Sequence, residues 1–69
     1  MKGGKYRHYK GHIYKVTGIA HNADTLEEMV VFRATTGDHQ LWVQPLEKFL
    51  GKTKTDDGKM TPFFEYLSD

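Results

Sequence analysis

EMVVFRATTGDHQLWVQP, residues 28–45, is the stretch from which the fold of this chain is read. Two β-rich runs, Glu28–Ala34 and Gln40–Gln44, flank Gly37-Asp38. Gly followed by Asp between such runs signals a two-residue hairpin, with glycine supplying the positive φ of a type II′ turn. That loop length sets a register in which Thr36 opposes His39, Ala34 opposes Leu41, Arg33 opposes Trp42 and Phe32 opposes Val43. Side chains alternate along a strand, so Val30, Phe32, Ala34, Leu41 and Val43 are expected on one apolar face. Met29, Val31, Arg33, Trp42 and Gln44 then share the other. The only tryptophan of the chain is thereby predicted to lie against an arginine. A guanidinium over an indole contributes about 0.5–1 kcal/mol at an exposed site and leaves a flat platform for a ligand ring.

Working towards the amino terminus, Lys5–Tyr9 and His12–Ala20 read as a second hairpin around Lys10-Gly11. A two-residue loop there sets Tyr9 opposite His12 and His8 opposite Ile13. Arg7, Tyr9, His12, Tyr14 and Val16 would line one face, and Tyr6, His8, Ile13 and Lys15 the other. Neither face is purely polar, which suits strands wrapped into a small closed sheet. Gly18 marks a bulge or bend. His21–Leu26 is a loop of turn formers, and Thr25–Glu28 matches a capping box for no more than one helical turn.

Working towards the carboxyl terminus, Pro45 ends the strand and opens one helical turn, PLEKFL, with Pro in its first position. Leu46, Phe49 and Leu50 fall on one side of that turn and are expected to plug an end of the core; Gly51 stops it. Asp57-Gly58 signals another hairpin with weak flanking strands. The last run, PFFEYL, reads as a strand with Phe64 and Tyr66 inward. The expected fold is all-β: a small five-stranded Src-homology-3-like barrel or roll with one short helical turn before the last strand. Residues 1–69 form a single domain with its core at about 4–67.

Composition narrows the function. Ten Lys and Arg oppose nine Asp and Glu, with four His, for a formal charge of +1. A dedicated nucleic-acid binder of this size is usually visibly basic, so the balance favours a protein or peptide partner. Residues 1–15 nevertheless carry five Lys and Arg and no acid, which keeps a single-stranded nucleic acid as the alternative. No cysteine is present, and no apolar run follows the early positive charges or approaches the length of a membrane span. Cytoplasmic location without membrane contact is the expectation.

The strings GKYRHYKGHIYKV, HNADTLEE, LWVQPLEKF and PFFEY resemble the bacterial domain-of-unknown-function family 1653. The resemblance runs from about Gly4 to Leu67. It rests on His8-Tyr9-Lys10-Gly11, Tyr14, Thr25, Trp42, Pro45, Phe49 and Phe64. It implies a small, mostly free-standing Src-homology-3-like β-roll and no established activity. Two positions depart from the family pattern, which commonly has arginine where this chain has Gln44 and Phe63. An anion-binding role carried by those arginines does not transfer.

Arg33 and Trp42 are the leading binding candidates, with Gln44 beside them and His8, Tyr9, Lys10 and Phe63 completing the set. Tyr6, Tyr9, Tyr14, Phe63 and Trp42, interleaved with Arg7, Lys10, Lys15 and Arg33, have the composition of an aromatic and basic surface. No catalytic residue is assigned, because no phosphate loop, nucleophile elbow or metalloprotease motif occurs. A small hydrolase or nucleotide-modifying enzyme using His8 or His21 with a carboxylate is the remaining alternative. No metal is expected: the hairpin register sets His8 and His12 on opposite faces and no cysteine ligand exists. No cofactor is expected. The chain reads as a monomer or a weak homodimer through an open sheet edge.

Overall fold

The computed structural model describes residues 2–69. Strands β1 (Gly4–His8), β2 (Ile13–His21), β3 (Glu28–Ala34) and β4 (Leu41–Pro45) run in succession. A single helical turn α1 (Leu46–Phe49), a small hairpin β5 (Lys52–Lys54) and β6 (Met60–Pro62), and β7 (Phe64–Ser68) follow. The main sheet is antiparallel in the order β4-β3-β2-β1-β7, and β5-β6 forms a separate two-stranded sheet. β4 and β7 are its two edges, so among the described residues no pairing closes it into a barrel. The strand for the last run and the hairpin at Asp57-Gly58 are as the sequence suggests.

Both main hairpins differ from expectation by one residue, for the same physical reason. Gly37-Asp38 does form a turn, with the His39 N–H donating to the Thr36 carbonyl. His39 then adopts a left-handed φ of 55° and adds one residue before the ladder begins at Ala34 and Gln40. The observed pairs are therefore Arg33 with Leu41, Phe32 with Trp42, Val31 with Val43 and Val30 with Gln44. In the first hairpin the Gly11 N–H donates to the His8 carbonyl, and Gly11 sits at φ 103°. This is a three-residue loop closed by a left-handed residue. It pairs Tyr6 with Tyr14 and Arg7 with Ile13.

A slip of one residue exchanges the faces of a strand. Trp42 and Gln44 thus join Val30 and Phe32 on the inner face, whereas Leu41 and Val43 turn outward, 51% and 60% exposed. The predicted Arg33–Trp42 pair does not exist: the two lie on opposite faces, and Arg33 donates to the His39 carbonyl at 2.7 Å. In the first hairpin Tyr6, His8, Tyr14 and Val16 all face inward, leaving Lys5, Arg7 and Lys15 outside. His8 pairs across the loop with His12, its N–H donating to the His12 carbonyl, so the two histidines are neighbours. Among the described residues no group of three His, Cys, Asp or Glu assembles that could hold a metal.

The core is small: Tyr6, Val16, Val30, Phe32 and Phe49 are its buried residues. α1 lies on the inner face and buries Phe49 to 1% exposure, stacked on Phe64 at 4.0 Å between ring centroids. Tyr6 and Phe32 meet the same ring at 5.4 and 5.6 Å. Pro45 is the residue preceding α1 and Leu50 caps it, 60% exposed, so Leu50 is not part of the plug. Thr17 is the extra residue of a bulge beside Gly18, its hydroxyl donating to the Val31 carbonyl at 3.1 Å. The loop after β2 forms no helical turn. The Asn22 side-chain oxygen accepts from the N–H groups of Asp24 and Thr25, and the Thr25 hydroxyl oxygen accepts from Glu27.

Candidate functional site

The aromatic layer that forms the core does not stop at Phe49. Beyond α1 the inner face opens into a cleft of about 310 Å³ between the two sheet edges. β4 supplies Trp42 and Gln44, β1 supplies His8, β2 Tyr14, β3 Phe32 and β7 Phe64, with Phe63 in the bend before β7. The rings meet edge to face: Tyr14 with Phe32 at 5.3 Å, Phe32 with Phe64 at 5.8 Å, and His8 with Phe64 at 5.0 Å. Such contacts hold a wall rigid, so its shape is present before a ligand arrives. Trp42 is 49% exposed at the rim.

Two polar groups interrupt this apolar lining. The Gln44 side-chain oxygen is buried and accepts no hydrogen bond among the described residues. A buried acceptor without a partner costs about 1–3 kcal/mol, which a ligand N–H would recover. His8 Nδ1 accepts the Lys10 N–H at 3.2 Å, so the neutral ring carries its proton on Nε2. Burial, then the charge of Lys10, then that of His12, lower the His8 pKa from the ordinary 6.5. At neutral pH the ring is therefore a neutral donor.

Four of the seven residues singled out from the sequence, His8, Trp42, Gln44 and Phe63, meet in this cleft. Tyr9 and Lys10 lie just outside it. The Tyr9 ring packs on Phe63 at 5.8 Å and Lys10 Nζ lies 5.8 Å from the Tyr9 ring. The Tyr9 N–H donates to the Phe63 carbonyl, tying the first hairpin loop to the rim. Arg33 is on the far face and does not take part. Phe32 and Phe64 were not among the candidates, and alternation with the observed register is the signal that brings them in; Tyr14, expected on an aromatic and basic surface, lines the cleft instead. No carboxylate lines the cleft. Glu65, next to Phe64, accepts from Arg7 at 2.8 Å on the other side of the sheet.

A sequence profile described as "Protein of unknown function (DUF1653)" matches residues 4–66. The chain belongs to that family. Among solved structures, a DUF1653 protein from Bordetella bronchiseptica is similar at 28% identity with a TM-score of 0.89, over 99% of this chain and 88% of that one. No curated protein matches. Within this DUF1653 chain the two positions read as departures from the family pattern, Gln44 and Phe63, both line the cleft. Their neutral side chains leave its lining without a cation of fixed charge. No helix among the described residues is long and apolar enough to cross a membrane.

Proposed function

We propose that this protein is a single-domain cytoplasmic binding module, which recognises a protein or peptide through the aromatic cleft. The observation that carries the reading is the cleft itself: five aromatic rings converge there with one unpaired acceptor, Gln44 Oε1. Its 310 Å³ lies at the low end of the range for ligand pockets, which suits one apolar or planar side chain rather than a cofactor. Trp42 and Phe63 offer faces to a proline or aromatic ring, and Gln44 accepts an adjacent peptide N–H. The strand order β7-β1-β2-β3-β4, with one helical turn after β4, supports reading the fold as a Src-homology-3-like roll left open along this seam.

Charge argues for peptide over nucleic acid. Single-stranded binders place a track of cations beside their stacking rings. Here Arg7 is taken by Glu65, and Lys10 and Lys54 share their rim with Asp56. An enzyme working by histidine and carboxylate has no pair to use in this cleft, because His8 faces aromatic rings.

Amide-correlation NMR of the labelled protein tests the reading. The probes are short proline- and tyrosine-containing peptides, with oligothymidylate at low and physiological salt as the competing class. Saturable shifts at the Trp42 indole, the Gln44 side-chain amide and Phe63 with peptide are expected. Shifts with oligothymidylate that weaken with salt would replace the peptide by a nucleic acid. No shift with either would remove the cleft as a site.

A further inference from the structure

The aromatic cleft has a polar neighbour. A groove of about 420 Å³ lies between the first hairpin loop and the β5–β6 hairpin. Arg7, Lys10, Thr61 and Glu65 line it, and His8 lines both groove and cleft, so at that point a single side chain separates them. A further hollow continues the groove past Tyr9, Lys10 and Thr55 to Lys54 and Asp56. The dividing ring is held in place. His8 Nδ1 accepts the Lys10 N–H, and the ring packs at 4.6 Å on Tyr9 and 5.0 Å on Phe64.

Charge sets what this groove can hold. Arg7, Lys10 and Lys54 face Glu65 and Asp56, three cations against two carboxylates, which leaves one positive charge in excess. The acids are in part already engaged. Glu65 accepts from Arg7 at 2.8 Å and takes one N–H of that guanidinium. Asp57, next to Asp56, is turned back into its own loop, where it accepts from the Thr55 hydroxyl and the Lys59 N–H. Arg7 with Glu65 is the one ion pair among the described residues, so Lys10 and Lys54 touch no carboxylate there. Such a patch is too short and too mixed in sign for successive phosphates. It matches a single carboxylate.

Resting on the reading of the cleft as a peptide site, we infer that the groove takes an acidic side chain of the same peptide, two residues from the ring that fills the cleft. An extended chain turns alternate side chains to the same side and advances about 7 Å over two residues, enough to step across His8. The carboxylate then meets Lys10 Nζ and the guanidinium N–H groups that Glu65 leaves open. Ion pairs at exposed side chains add little affinity, so the cleft holds the peptide and the groove selects its sequence.

Three short peptides test this by amide-correlation NMR, each with one tyrosine flanked two positions away on both sides by aspartate, asparagine or lysine. The aspartate peptide is expected to bind about three- to fivefold tighter than the asparagine peptide at low salt, and the lysine peptide more weakly than either. The spread should close at about 1 M salt, where charges are screened within about 3 Å. The Lys10, Gly11 and Thr61 amides should move further with the aspartate peptide than with the asparagine peptide, whereas the Trp42 indole and Phe63 move with all three. In the doubly substituted Lys10→Glu, Lys54→Glu chain the order should reverse, with the lysine peptide tightest. Both side chains are exposed; should that variant fail to fold, the salt dependence and the shifts of the wild type decide. Equal affinities for the three peptides overturn the inference and leave the cleft as a peptide site. A preference for aspartate that survives the charge reversal overturns it as well. Binding of no peptide removes both readings, and oligothymidylate that then moves Lys10 and Lys54 would assign the groove to phosphate.

Discussion

Replacing Trp42 by alanine separates the cleft from the core. A buried aromatic side chain removes roughly 150–250 Å² from water. Trp42 is 49% exposed, so about half of that, near 100 Å², is at stake. At about 25 cal/mol per Å² the loss is at most about 2.5 kcal/mol, an upper bound because the unfolded chain is already partly compact. A chain of this length has a stability of about 3–10 kcal/mol. Trp42→Ala is therefore expected to remain folded at 25 °C. Phe49→Ala is the contrast. Phe49 is 1% exposed and stacked on Phe64, and such a truncation costs about 3–5 kcal/mol. Urea denaturation followed by far-ultraviolet circular dichroism measures both without the tryptophan signal. Binding should respond in the opposite order, since truncating an aromatic anchor of the cleft costs about 2 kcal/mol or more, about 30-fold in affinity. A Trp42→Ala variant that loses as much stability as Phe49→Ala would show the indole to be part of the core and would refute the assignment.

Three further outcomes follow from the geometry. Because the folded-state pKa of His8 lies below its ordinary 6.5, the unfolded chain takes up this proton more readily. The associated stability is full above about pH 6.5 and declines as pH falls through the folded-state value, so His8→Gln should flatten the stability profile between about pH 7 and pH 5; equal slopes in the two proteins would contradict this. Gly4→Ala should destabilise more than Gly11→Ala. Both glycines have positive φ, but a methyl at Gly4 overlaps the Ser68 carbonyl oxygen and one at Gly11 meets nothing within 4 Å; thermal unfolding of the two variants checks the order. The doubly substituted Arg33→Cys, Leu41→Cys chain should form an intramolecular disulfide on oxidation, since the two residues are directly opposed without mutual hydrogen bonds; cross-linking of Arg33→Cys with Trp42→Cys instead would restore the two-residue turn.

What was legible in the residues was the run of elements. The extent of β3, the helical turn after Pro45, the Asp57-Gly58 hairpin and the final strand follow from β-branched and aromatic runs punctuated by glycine and proline. These are local preferences, and local preference suffices to place them. The membership of the cleft was partly legible: His8, Tyr14, Trp42, Gln44 and Phe63 stand out by type, whereas Phe32 and Phe64 look like ordinary core.

Which residue opposes which was a matter for the tertiary structure. Both hairpins gained one residue because a left-handed residue, His39 or Gly11, fits between turn and ladder. That choice depends on how the loop closes against its neighbours, such as the Arg33 guanidinium on the His39 carbonyl and the Phe63 carbonyl on Tyr9. Since side chains repeat with a period of two, the single added residue carries Trp42 from the outer face to the inner one. The sequence by itself determined that this chain makes short strands with its tryptophan in one of them. Only the packed sheet decided that the tryptophan looks into an aromatic cleft, because the face a strand shows is set by its register.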